Sequence, residues 1–198
     1  MDLQTSVFLL FSLCTAGHSL SCYDCSLMTC SNPKIYTCHS GYSKCMSSIT
    51  VGQAGFISVK KKAKECAADC LSGSMNFGII KYSSVCCNTD GCNLQDPPDP
   101  STSTPNGKTC YSCDGKSCLN ILSCTGTEDR CIKATGTFVG KSLVVKGCVS
   151  KSICDAAASV GEVQGASCCS GNLCNGAQSV SQSFLFLCCS LLSFILLH

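Results

Sequence analysis

Twenty of the chain's cysteines fall into two blocks of ten, and the two blocks carry nearly the same spacing. From Cys22 to Cys92 the successive gaps are 2, 4, 7, 6, 20, 3, 15, 0 and 4 residues. From Cys110 to Cys174 they are 2, 4, 5, 6, 16, 5, 13, 0 and 4. Short gaps agree while long ones drift, as expected if covalent bridges hold a core and loops change around it. Both blocks open with Cys-Tyr-x-Cys (Cys22 to Cys25, Cys110 to Cys113). Both close with Cys-Cys-x4-Cys-Asn, ending at Asn93 and Asn175. An internal repeat of roughly 70 residues reads as two similar domains, at 20–94 and 109–175.

The compartment follows from the same residues. Cysteine makes up 23 of 198 positions, above the roughly 8–10% that marks a disulfide scaffold in a short secreted chain. A reducing cytosol would not maintain such a frame, so an extracellular setting is expected. Bridges, rather than a metal or a redox thiol, are then the expected fate of the Cys-x2-Cys openings. The odd count leaves no unpaired thiol once Cys14, Cys188 and Cys189, which lie in the end segments, are set aside. A formal charge of +2 gives no case for nucleic acid as a partner.

Both ends read as processing signals. Val7 to Leu13 is apolar and is followed by small and polar residues, the pattern of a secretory signal peptide over residues 1–19. Cleavage is expected after Ser19 or after Gly17. At the other end the apolar run Phe184 to Leu197 is 14 residues, shorter than the roughly 17–25 a spanning helix needs. No Lys or Arg follows it. Small residues at Asn175-Gly176-Ala177, a polar spacer and an apolar tail match the signal for a glycosylphosphatidylinositol (GPI) anchor. The lipid is expected on Asn175, with Gly176 as the alternative, and 176–198 is removed. The membrane is then met through lipid alone, on the extracellular face.

Residues 95–108 (QDPPDPSTSTPNGK) hold four of the five prolines and read as an extended, exposed linker that buries nothing. No N-x-[ST] acceptor occurs, so N-linked glycan is not expected. Within each block the longest gap reads as a β-hairpin: SSITV, a turn at GQAG and FISVKKKAKE after Cys45, then IKATGTFVGKSLVVKG after Cys131. No helical period of useful length is found, and the fold class is all-β. A domain this small buries too little apolar surface to be secure unaided, and five bridges of about 2–4 kcal/mol each, not strictly additive, make up the deficit. Adjacent cysteines such as Cys86 and Cys87 should each bond elsewhere. Spacing alone leaves the remaining pairings open.

These motifs, repeated twice over nearly all of 20–175, resemble the lymphocyte-antigen-6/urokinase-receptor family, whose unit is the three-finger domain. The resemblance implies two disulfide-rich, snake-toxin-like three-finger domains in tandem. For the first it implies bridges Cys22–Cys45, Cys25–Cys30, Cys38–Cys66, Cys70–Cys86 and Cys87–Cys92. For the second it implies Cys110–Cys131, Cys113–Cys118, Cys124–Cys148, Cys154–Cys168 and Cys169–Cys174. It also implies that Asn93 and Asn175 brace the core through side-chain hydrogen bonds. Asn175 would keep that side chain if its carboxyl group bore the lipid.

No catalytic residue and no cofactor are expected. Between the end segments the only histidine is His39, with no carboxylate near it in sequence, whereas nucleophilic catalysis needs a nucleophile, a base and an orienting group in reach. Lys60, Lys61, Lys62 and Lys64 form the one charge cluster. It fits either a solvated edge strand that discourages aggregation or a contact for an acidic partner. Phe138 and Val139 near the second hairpin tip, and Met75 and Phe77 in the first domain's third finger, are apolar groups on loops. They serve as interface anchors or pack back onto their own finger. Function is then expected to be non-enzymatic: a GPI-anchored surface protein that binds an extracellular or membrane protein ligand through its finger loops. A secreted phospholipase-inhibitor-like or ion-channel-modulating protein, and an adhesive spacer, are the alternatives.

Overall fold

The structure, a computed structural model, describes residues 19–25, 30–138, 141–159 and 165–176. The signal segment up to residue 18, Val139 and everything from residue 177 onward lie outside the described residues, so the expectations placed there are not addressed by it. Two compact units are present: residues 1–73 with 81–102, and residues 74–80 with 103–198. Both are β structures strung on disulfides. The structure pairs Cys22 with Cys45, Cys25 with Cys30, Cys38 with Cys66, Cys70 with Cys86 and Cys87 with Cys92. It pairs Cys110 with Cys131, Cys113 with Cys118, Cys124 with Cys148, Cys154 with Cys168 and Cys169 with Cys174.

In the first unit β1 (Ser21–Asp24) pairs antiparallel with β2 (Lys34–Thr37). A second sheet takes the order β6 (Ile80–Cys87), β3 (Lys44–Ala54), β4 (Ile57–Ala67). The β3–β4 hairpin is in register from Lys44↔Ala67 to Ala54↔Ile57. Its turn is therefore Gly55-Phe56, two residues beyond the centre of the expected GQAG turn. Gly55 adopts φ 60, the left-handed region that a tight hairpin turn needs and that glycine enters without steric cost. Gly52 instead stays in the strand, opposite Val59. Where this hairpin leaves the base of the unit, Cys22, Cys38 and Cys45 are buried and Cys66, Cys87 and Cys92 pack on them. The sulfur atoms of Cys22 and Cys38 touch at 3.2 Å, so two bridges cross in the middle of the core.

In the second unit β7 (Pro105–Ser112) pairs with β8 (Asn120–Thr125). A sheet takes the order β11 (Ser167–Cys169), β9 (Arg130–Phe138), β10 (Lys141–Val149), β5 (Gly73–Asn76). Cys110, Cys124, Cys131 and Cys148 are fully buried and form the equivalent sulfur core. Met75 and Asn76 of β5 pair with Val149 and Cys148. Gly147 permits that approach: a Cβ there would lie 2.2 Å from the carbonyl oxygen of Asn76, so any side chain forces the strands apart.

Two expectations are corrected. The chain has a helix, α1 (Lys151–Ser159). Its first i→i+4 bond runs from the Cys154 amide to the Ser150 carbonyl. Three consecutive alanines favour it, an exposed Lys151–Asp155 pair one turn apart adds a little, and Ile153, Cys154 and Ala157 pack on Ile132 and Val149. At nine residues it is too short to show a period. The second correction concerns the linker. Pro97 and Pro100 are buried, the Ser83 hydroxyl donates to the Pro98 carbonyl at 2.7 Å, and β7 already begins at Pro105. The segment is docked, and the lysines of β4 are the reason.

Candidate interaction surface

Alternation along β4 puts Lys60, Lys62 and Lys64 on one side and Ile57, Val59 and Lys61 on the other. The even-numbered side faces the acidic linker. Lys60 pairs with Asp99, and Lys62 Nζ lies 2.6 Å from Asp96 Oδ2. Lys64 is only 4% exposed. Its ammonium reaches Asp96 Oδ1 at 2.8 Å, donates to the carbonyls of Asn93, Leu94 and Gln95, and donates to the Ser47 hydroxyl. The four lysines are thus divided: three hold the linker, and among the described residues Lys61 has no carboxylate within ion-pair distance.

The carboxylates respond to this setting. Partial burial of Asp99 opposes ionisation, but hydrogen bonds from Lys60 and Ser101 outweigh it and lower the carboxyl pKa to about 2. Asp96 is also held below the usual range, burial again opposing and the hydrogen bonds from Lys62 and Lys64 prevailing. A depressed carboxyl stabilises the fold above its unfolded pKa and loses that contribution as pH falls toward the folded value.

With the even side covered, the odd side and the turn remain in solvent. Phe56, at the tip, is fully exposed, and Ile57 and Val59 follow at 68% and 48% exposure. Gly52, opposite Val59, offers no side chain to cover it. An apolar strip of three residues ending in the cation of Lys61 therefore stands on a two-residue turn braced at its base by crossed disulfides. Sequence patterning hides Phe56 because FISV fits a strand; the signal is an aromatic immediately after a glycine.

The other candidate anchors are placed differently. Met75 and Phe77 are half-buried and pack against Ile132, Val149 and Cys154, so they serve a core. Phe138 ends β9, but its side chain, like all of Val139, lies outside the described residues. His39 borders a cleft of about 500 Å³ with Leu20, Tyr42, Ser43 and Asn88. Among the described residues, none of those lining that cleft is a carboxylate. Sulfur atoms of Cys22, Cys38 and Cys66 gather within 4.8 Å, as do those of Cys110, Cys124 and Cys148. Each is already consumed in a bridge and has no thiolate to offer a metal.

The two terminal asparagines repeat one arrangement. Asn93 Oδ1 accepts from the Tyr23 amide, and its Nδ2 donates to the carbonyls of Tyr23 and Met46, all at 2.9 Å. Asn175 does the same with Tyr111 and Ile132, at 2.8–2.9 Å. Each buried side chain thereby satisfies backbone groups of an opening strand and of the hairpin strand beside it.

A family model described as "Snake toxin and toxin-like protein" matches residues 20–93 and again 109–175. The chain belongs to this three-finger family. Among curated proteins, the rat urokinase plasminogen activator surface receptor is 33% identical over 98 residues, covering 42% of this chain and 30% of the receptor. The mouse receptor of the same name is 35% identical over 81 residues, 36% of this chain and 25% of the receptor. The bovine receptor is 34% identical over 80 residues, 36% of this chain and 24% of the receptor. The aligned region thus spans less than a third of these relatives' length. The two disulfide-strung domains expected from the cysteine spacing, and the all-β class expected from the runs between them, are those of the three-finger family.

Proposed function

We propose that the protein is a non-enzymatic, GPI-anchored surface protein that binds a protein ligand through the β3–β4 fingertip. Likeness to proteins named as surface receptors supports the general reading, and the exposed Phe56-Ile57-x-Val59 strip carries the specific one. Aromatic groups held on a rigid support lose little entropy on binding and dominate interface energetics. In this reading Lys61 flanks the strip, and Lys60, Lys62 and Lys64 act indirectly by holding the linker away from it. The domains lie at 20–94 and 109–175, the signal peptide at 1–19, and the lipid on Asn175 or Gly176. Among the described residues no helix is long and apolar enough to cross a membrane.

Two measurements test the reading. Phosphatidylinositol-specific phospholipase C should release the protein from intact cells; persistent attachment removes the anchor. Proximity labelling from the displayed protein should enrich a partner that Phe56→Ala loses while surface level stays unchanged. Equal enrichment by the variant removes the fingertip.

A further inference from the structure

Lys146 occupies in the second unit the place of Lys64 in the first, two residues before the equivalent cysteine of the repeat (Cys148 and Cys66). Both are buried, Lys146 with 7% exposure. Their surroundings differ. Lys64 has the carboxylate of Asp96 at 2.8 Å as well as carbonyl partners. Lys146 reaches the carbonyls of Gly176 and Cys118 at 3.3 and 3.4 Å and lies 5.8 Å from the centre of the Tyr111 ring. Among the described residues no carboxylate lies within ion-pair distance of it. Burial, with repulsion from Lys133 added, lowers its pKa. A buried ammonium without a counter-charge is costly, and here it points at the carbonyl of Gly176, the alternative residue for lipid attachment.

We propose that the ammonium of Lys146 receives the phosphate of the ethanolamine phosphate bridge that joins a GPI anchor to the chain. The inference rests on the anchored reading above. An anchor replaces the next peptide nitrogen by the ethanolamine nitrogen, followed by two carbons, an oxygen and the phosphorus. Counted from the carbonyl carbon of Gly176, the phosphorus is as many bonds away as the Asp96 Cα is from the carbonyl carbon of Leu94. Leu94 and Gly176 each follow the terminal asparagine and each offer their carbonyl to the lysine. At that chain distance the phosphodiester, a permanent anion at physiological pH, can give Lys146 the counter-charge that Asp96 gives Lys64. Lys146 takes this role with Gly176 as the attachment residue; attachment at Asn175 would remove the carbonyl that Lys146 meets. Gly176 suits the path, since a Cβ there would lie 3.1 Å from the Tyr111 ring. No bond to Lys146 forms or breaks.

The test compares two forms of the protein: the full chain released from cells by the phospholipase, which keeps the ethanolamine phosphate, and a chain stopped after Ser183, which never receives it. Trace acetylation is read by mass spectrometry, with Lys64 as internal reference. An ammonium that gains an anion gives up its proton later, so Lys146 should be acylated roughly tenfold more slowly in the released form, one pKa unit's worth. In parallel, the phosphate should raise the melting temperature of the wild type by about 4 °C, should do nothing in Lys146→Met, and should regain part of its effect in Lys146→Arg. Equal acylation in the two forms, or an equal thermal increment in Lys146→Met, overturns the proposal while leaving the anchor intact. Failure of the phospholipase to release the wild type overturns the anchored reading and the proposal with it.

Discussion

The two copies of the cysteine frame differ most where each buries a lysine. In the first, Lys64 threads under the start of the linker and meets Asp96, so the segment after Asn93 is held by charge. In the second, Lys146 has carbonyls and a ring but, among the described residues, no acid within ion-pair distance. The frame positions a cation beside the last residue of the domain in both. The chain just beyond that residue decides whether the cation has a partner. One scaffold, used twice, thus keeps the charge and varies its counter-charge.

The comparison can be broken by substitution. Lys64→Met should cost the first unit about 3 kcal/mol, because it leaves the carbonyls of Asn93, Leu94 and Gln95 without their donor and takes one of its two cations from Asp96. Lys146→Met in a chain stopped after Ser183 should cost within about 1 kcal/mol, since it also removes an uncompensated buried charge. Denaturant unfolding checks both, and equal costs would make the two sites alike. A smaller contrast lies at the turn before the last cysteine. Gly91 takes φ 63 there, and Leu173 takes φ 54 in the second copy. A branched side chain in that region costs roughly 1–2 kcal/mol, so Leu173→Gly should raise stability by about 1 kcal/mol. No gain would mean that the packing of Leu173 offsets its backbone strain. The smallest effect is on acidity. Protonating Asp99 should remove about 1 kcal/mol of linker docking as pH falls from about 4 toward 2. Asp99→Asn should abolish that part of the acid transition, as followed by hydrogen exchange of 96–102.

What could be read from sequence depends on how local each signal is. Cysteine spacing and the β-rich runs are written along the chain, so two all-β repeats were legible there, and the family resemblance makes them three-finger domains. Helix α1 was not, because nine residues held by an alanine run and a disulfide leave no period to detect. Linker docking was hidden for a different reason: Lys62 and Asp96 stand 34 positions apart, and a charge run looks solvated until its partners arrive. Phe56 was hidden by the two glycines near it, Gly52 and Gly55, both plausible turn residues. Only register shows that the second makes the turn and sets the aromatic at the tip.

The docked linker also bears on how well the chain withstands proteolysis. A proline, serine and threonine stretch between two tight domains is the natural place for a protease to nick, and cleavage needs an extended run of backbone to enter the enzyme. Pro97 and Pro100 are buried and Asp96 and Asp99 are tied to β4, while Pro105 already belongs to β7. Between these points Ser101 and Thr102 bond back to Asp99, and the Thr104 carbonyl accepts from the Gly126 amide. The salt-linked lysines of β4 therefore act as a guard on the chain's most cleavable stretch, and weakening them should appear first as nicking between the two repeats.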